Sequence, residues 1–375
     1  MRAYRVTEID ISGIRKMFEL AGEDVINLAI GEPDFPIPEE AKEAIYQALR
    51  EDFTHYTSNK GIIELREALA EKLKKENGVD AGAEEIIITS GASEALHLAF
   101  QAFINNGEEV LIPNPGFVSY DPLVKLAQGK SVYYPLRFED GFIPDIEDIK
   151  KRMSSKTKMI VLNSPSNPTG AVYPEEIIKA IAEIAEDYNA LLVSDEVYEK
   201  IIYEGEHISP GAFSDNVITV NGFSKSYAMT GLRVGYLSAG DELLEEMLKV
   251  HQYIQASVNS TAQRAALAAL GSKRFIENMV GELRERREII LKLLGGIERV
   301  RVNRAGGAFY VFADFSAYGD SQYLATELVR AGVVVTSGTA FGSLGEGFLR
   351  FSYATSRGNI KEGVGKLKGY LEDKI

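Results

Sequence analysis

Cysteine and tryptophan are both absent from the 375 residues. The first absence removes disulfides, thiolate nucleophiles and cysteine-held metals from consideration together. Histidine is scarce: His55, His97, His207 and His251 stand apart with no HxH or HxxxH spacing, so no metal centre is expected. No run approaches the roughly 20 apolar residues that a bilayer span needs, so no membrane partner is expected. The chain also has no GxxxxGK[ST] and no GxGxxG. Those gaps set aside a Walker phosphate loop, a dinucleotide turn and nicotinamide-dependent oxidoreduction. Positive charge is in deficit, with 41 Lys and Arg against 55 Asp and Glu and a net charge of -14. Such an overall field repels nucleic acid, and any phosphate has to be held by local groups. The opening MRAYRVTEIDISGIRKMF alternates charged and apolar residues and lacks the continuous apolar core of a secretory signal, so a cytoplasmic location is expected.

What is present is a long chain with a regular alternation. The length exceeds the roughly 250 to 300 residues at which one core stops growing, which predicts two domains. A short helix is expected around Ile14 to Ala21, then the apolar run VINLAI, a Gly- and Pro-rich turn GEPDFPIP, and a helix from Glu39. IIELREALAEKLKKENG reads as an amphipathic helix stopped by Gly78. From Glu84 onward the apolar runs EEIIITS, EEVLIPNP, KMIVLNSP, ALLVSDE, VITVNGF and RVGYLSA alternate with helical patterns. That alternation predicts an α/β fold with a mostly parallel, doubly wound sheet. The chain from Asp241 to about Leu294 is helical in character, and GGAFYVFADF, SQYLATELVRAG, VVVTSG and FLRFSYAT predict a smaller α+β domain.

Chemistry collects at the carboxyl ends of the expected strands, where open α/β sheets keep their ligands. Lys225 lies just past VITV in NGFSKSYAMTGLRVGY, flanked by Ser224 and Ser226 and followed by Arg233, a pattern suited to an aldehyde-binding amine beside a phosphate clamp. In ITSGASEAL the strand passes through Gly91, Ala92 and Ser93 directly into a helix, which aims free N–H groups at an anion. Asn167 in NSPSNPTG offers an amide on a rigid turn, and Asp195 ends another apolar strand, where a carboxylate calls for a cation nearby. Tyr198 can place a phenol in the same pocket. The ordinary alternatives are a solvated lysine, a helix cap, a turn asparagine and a packing tyrosine. The conjunction weighs against them, because one ligand with a phosphate, a cationic ring nitrogen and an aldehyde answers all these residues, and pyridoxal 5'-phosphate has those features.

GEPDF, HYTSNKG, SNPTG, SDEVYE, SKSYAMTGLRVGY and LRFSYAT occur in order, and from about Ile26 to Tyr370 the chain resembles the class I, fold type I pyridoxal-phosphate-dependent aminotransferases, in the archaeal and bacterial aspartate or aromatic branch. The resemblance implies a large cofactor-binding domain over residues 46–275, with 1–45 and 276–375 forming the small domain. It implies that Lys225 forms the internal Schiff base, that Asp195 pairs with the pyridine nitrogen, and that Tyr198 and Asn167 bond the ring's phenolic oxygen. Phe117 would stack on the ring. Arg233, Ser224 and the Gly91, Ala92 and Ser93 turn would hold the phosphate, with Tyr56 reaching in from the partner of a homodimer with shared active sites. Arg350 would fork the substrate α-carboxylate, with Gly31 adding a backbone contact on closure. Two positions depart from the pattern: Phe117 stands where relatives can carry tryptophan, and Gly222 where some carry a phosphate-binding serine.

The activity so implied is transfer of an amino group from an L-amino acid, aspartate first, to 2-oxoglutarate by a ping-pong mechanism, with Lys225 as base and Asp195 keeping the ring nitrogen protonated. Aromatic amino acids, kynurenine and alanine follow as donors. Lys125, Lys249 and Arg264 are the candidate cations for a dicarboxylate side chain. A pyridoxal-phosphate β-lyase and a noncatalytic pyridoxal-phosphate-binding protein are the rival readings.

Overall fold

A computed structural model of the chain describes residues 2–10 and 25–372. The helix expected around Ile14 to Ala21 lies outside the described residues. Twelve short strands occur among them: β1 (Ile26–Asn27), β2 (Ile86–Thr89), β3 (Glu109–Asn114), β4 (Lys130–Pro135), β5 (Thr157–Asn163), β6 (Leu191–Asp195), β7 (Val217–Gly222), β8 (Gly235–Ser238), β9 (Tyr310–Asp314), β10 (Val333–Val334), β11 (Thr336–Ser337) and β12 (Phe348–Ser352). Seven of them form one sheet in the order β2-β8-β7-β6-β5-β3-β4. β8 alone runs antiparallel to its neighbours β2 and β7, so the sheet is mostly parallel. The chain is therefore an α/β protein with a mostly parallel sheet, as expected.

The sheet is buried on both faces, as the unbroken apolar runs require. Because successive strand side chains point to opposite faces, Val110, Ile112 and Val161 pack with Leu96 and Leu98 of the helix Ala92–Phe103 and Met247 of the helix Asp241–Ile254. Leu111, Ile160 and Leu162 pack on the other side with Ile178 and Ile181 of the helix Glu175–Asp187. A separate cluster joins Leu28 to Leu283, Tyr310, Leu324, Val334 and Leu367, so the segment after Val25 packs with the chain beyond Met279. In that region β9, β11 and β12 form a three-stranded antiparallel sheet, and β1 pairs in parallel with β10. The run VVVTSG divides at Val335 because its halves pair with different sheets. The helix Glu39–Arg50 packs on the β2–β8 end of the seven-stranded sheet, in a cluster that holds Ile86 and Ile88 of β2 and Tyr236 of β8. Its Ala41 packs among Leu65, Ala262 and Ala266, so the expected boundary between residues 45 and 46 falls inside this helix.

Candidate active site

A cavity of about 350 Å³, in the size range of small-molecule sites, opens at the carboxyl edge of the large sheet. Five of the parallel strands, all but the edge strand β4, deliver parts of its wall. β2 leads into Ala92 and Ser93, β3 into Phe117, and β5 ends at Asn163 with Asn167 four residues on. β6 supplies Asp195 and Tyr198, and β7 supplies Ser224 and Lys225 on the single helical turn Phe223–Ser226. Arg233 precedes β8, Arg350 comes from β12, and Gly31 from the segment after β1. Of the residues singled out in sequence, these converge. Gly91 stands immediately behind the wall, and Tyr56 is 86% exposed and does not line the cavity. Lys125, Lys249 and Arg264 do not line it either, which corrects their candidacy within this chain. Lys125 pairs with Asp121, Lys249 with Glu246, and the Arg264 guanidinium lies 4.5 Å from the centre of the Phe53 ring.

The anion-facing turn depends on glycine at two places. A Cβ on Gly91, at φ +77°, would meet the Arg233 guanidinium at 2.6 Å, and a Cβ on Gly235 would come within 2.6 Å of the Ala92 nitrogen. Without side chains there, Arg233 and β8 close up against the start of the helix Ala92–Phe103. Arg233 donates to Thr230 O at 3.0 Å, which leaves donors of its guanidinium directed at the turn. A Cβ on Gly222 would lie 3.2 Å from Gly235 Cα, so packing against β8 leaves little room for a larger residue in that place.

Asp195 and Lys225 set the electrostatics. Asp195 is 4% exposed, and burial raises its carboxyl to about 6 despite the hydrogen bond from Tyr120. The cation expected beside it from sequence is not a direct partner. Instead Tyr120 Oη donates to Oδ2 at 2.7 Å, and Oδ1 receives only a 3.5 Å contact from Val197 N–H, so one oxygen is available to a donor in the cavity. Lys225 is half-buried, donates to Gly31 O at 2.6 Å, and burial lowers its amine to about 8. An amine so placed is a nucleophile and a base near neutral pH.

Arg350 is 1% exposed, with its guanidinium between the rings of Tyr310 and Phe341. It donates to Asn167 Oδ1 at 2.9 Å and to Ala29 O, while its Nε has no partner. Tyr198 and Tyr310 join their hydroxyls at 2.9 Å. Tyr120 and Tyr310 were not singled out in the sequence. No local pattern marks them, because Tyr120 reaches Asp195 across 75 positions and Tyr310 meets Arg350 through the β9–β12 pairing. Tyr120→Phe is expected to lower kcat/KM about 10- to 100-fold, since a hydrogen bond to a charged group contributes roughly 1.5 to 3 kcal/mol. Steady-state kinetics beside a melting curve within a few degrees of wild type would confirm a local effect.

The model for aminotransferases of class I and II matches residues 23–367. The probable aspartate aminotransferase of Methanocaldococcus jannaschii is 48% identical over 99% of this chain and 100% of its own length. The aspartate aminotransferase of Pyrococcus horikoshii is 46% identical over 99% of this chain and 97% of its own. Among solved structures, the aspartate aminotransferase from Thermus thermophilus with maleate superposes with a TM-score of 0.95 at 40% identity, covering 98% of this chain and 100% of that one. With a family match over nearly its whole length and a lysine, a buried carboxylate and a buried arginine gathered in one cavity, the chain belongs to the class I and II aminotransferases and is a transaminase.

Proposed function

We propose that the cavity binds pyridoxal 5'-phosphate and transfers an amino group from L-aspartate to 2-oxoglutarate by a ping-pong mechanism. The observation that carries this reading is the convergence of Lys225, Asp195 and Arg350 on one cavity. The residues fit the cofactor: the free Oδ1 of Asp195 suits a protonated ring nitrogen, Phe117 offers a ring face, and Asn167 and Tyr198 flank the same wall. Ser93, Ala92, Gly91, Ser224 and Arg233 suit its phosphate. When bound, the cofactor supplies an aldehyde that takes up the amino group and a ring that draws off the electron pair left at the substrate's α-carbon. Arg350 holds the donor's α-carboxylate, and Gly31 contributes its backbone. The Lys225 amine would act as the base that accepts the proton from the donor's α-carbon. Asp195 keeps a proton on the ring nitrogen, with Tyr120 fixing the carboxylate. The cofactor-binding domain runs from the helix Glu39–Arg50 to about residue 275, and the segment after Val25 joins residues 276–372 in the small one. The exposure of Tyr56 outside its own cavity supports service to the cavity of a second copy, in a cytoplasmic homodimer with shared sites.

Aspartate as donor is supported by the names of the two relatives. One observation favours aromatic donors as a second reading: among the described residues lining the cavity, Lys225, Arg233 and Arg350 are its only Lys or Arg side chains, and Ile30, Leu96, Val197 and Tyr310 are apolar or aromatic. The test is the absorption spectrum of the holoenzyme with L-aspartate, L-glutamate or L-tyrosine added singly without an oxo acid. Conversion of the visible band to the amine form of the cofactor is expected, fastest with aspartate. A larger rate with tyrosine selects the second reading, and a protein with no visible band after addition of pyridoxal phosphate overturns both.

A further inference from the structure

Behind the anion-facing turn lies a buried pair that none of the proposed steps uses. Glu94, in the first turn of the helix Ala92–Phe103, reaches back so that one carboxylate oxygen accepts the Ser90 N–H. This braces the turn, but it also sets a carboxylate at the lip of a site for an anion, where like charges repel. His251, from the last turn of the helix Asp241–Ile254, meets the other oxygen of Glu94 through Nδ1 at 2.9 Å. Its Nε2 lies 2.8 Å from Asn59 O, and the side chain is fully buried.

The proton arrangement follows from the partners. A backbone carbonyl only accepts, so Nε2 carries a proton. A bare Nδ1 against an ionised carboxylate would oppose two lone pairs at hydrogen-bond distance, so a second proton lies between Nδ1 and Glu94. Whichever atom holds it, the pair has no net charge. His97, one turn along from Glu94, is half-buried, and burial lowers its imidazole, so it stays neutral near pH 7.5 and does not substitute. The same helix end also sends Gln255 Nε2 to Ser90 Oγ at 2.9 Å.

We propose that His251 is a positioning residue for the phosphate end of the cofactor. It shares a proton with Glu94, cancels that carboxylate's charge beside the Ser90–Ser93 turn, and ties the turn to the Tyr56–Asn59 segment. This rests on the reading of the cavity as a pyridoxal-phosphate site. The test is equilibrium binding of pyridoxal phosphate and of phosphate-free pyridoxal to the cofactor-stripped full chain. His251→Gln is expected to weaken pyridoxal phosphate roughly 10- to 100-fold, the scale of one uncompensated charge near a phosphate, and pyridoxal by less than about threefold. His251→Gln with Glu94→Gln is expected to regain most of that loss, because the offending charge is gone. Equal weakening of both ligands, or a double variant no better than the single one, overturns the inference. Wild-type protein that binds pyridoxal phosphate no better than pyridoxal overturns this inference and the cofactor reading together; a wild-type preference that His251→Gln retains overturns this inference alone. Should His251→Gln not fold, the 15N spectrum of histidine-labelled wild-type protein decides at pH 7.5. A proton on Nε2 and one on or shared with Nδ1 supports the pair, and an Nδ1 without one overturns it.

Discussion

Lys225→Ala is expected to abolish transamination, with a loss of at least about 10⁴-fold, because the proposed reaction uses one side chain as both nucleophile and base. The wild-type amine is prepared for both. Burial lowers it to about 8, so at that pH half of the molecules present a neutral amine, and attachment of pyridoxal phosphate to the cofactor-free protein should quicken as pH rises through that value. The alanine variant should still bind the cofactor through its phosphate and ring contacts, but with the absorbance of a free aldehyde. Small primary amines should restore part of the proton transfer, since they can occupy the space left by the side chain. The variant's stability should move opposite to its activity. The folded-state value lies below the unfolded one of 10.5, so the unfolded chain binds more protons between about 8 and 10.5, and wild-type stability rises with pH across that window. The cofactor-free variant should therefore melt above wild type at pH 7, by a margin that fades toward pH 10.5. A variant that turned over at a thousandth of the wild-type rate or better would remove Lys225 from the centre of the chemistry.

Lys225 was legible in the sequence because its surroundings are local: a β-branched run fixes a buried strand, and the residues just past its end must face the carboxyl edge of the sheet. The same logic places Asp195 at the end of β6 and the Gly91–Ser93 turn after β2. What the sequence did not disclose is non-local. Tyr120 opens the helix Tyr120–Leu126 that follows β3 and meets Asp195 of β6 only because β3 and β6 flank β5 in the folded sheet, and Glu94 and His251 meet across 157 positions. Strand direction is also hidden: RVGYLSA reads like its neighbours, yet β8 runs antiparallel. KSVYYP was not read as a strand, since its outer part is polar and partly exposed. It survives as the edge strand β4 because β3 offers a full ladder of partners.

Arg350 is the other position where a large effect is expected, and its reason is an imbalance of charge. A fully buried guanidinium ordinarily has an acid beside it, but no ion pair among the described residues includes Arg350. Two oxygens that carry no full charge, Asn167 Oδ1 and Ala29 O, and two aromatic faces hold it in place, and burial lowers its basicity. Those partners orient the planar fork without neutralising it, so on the proposed reading the countercharge comes with the ligand, and the α-carboxylate of an amino acid is a bidentate match. The discriminating comparison is an amino acid against the same molecule without its carboxylate, such as tyrosine against tyramine, followed as half-reactions of the holoenzyme. Wild type should favour the amino acid by roughly thirty- to several-thousand-fold, the cost of leaving a buried charge unpaired. Arg350→Met should erase most of that preference by slowing the amino acid while sparing the amine, because only the amino acid brings the charge that Arg350 lacks. If both donors slow by one factor, the arginine shapes the cavity and the carboxylate is recognised elsewhere.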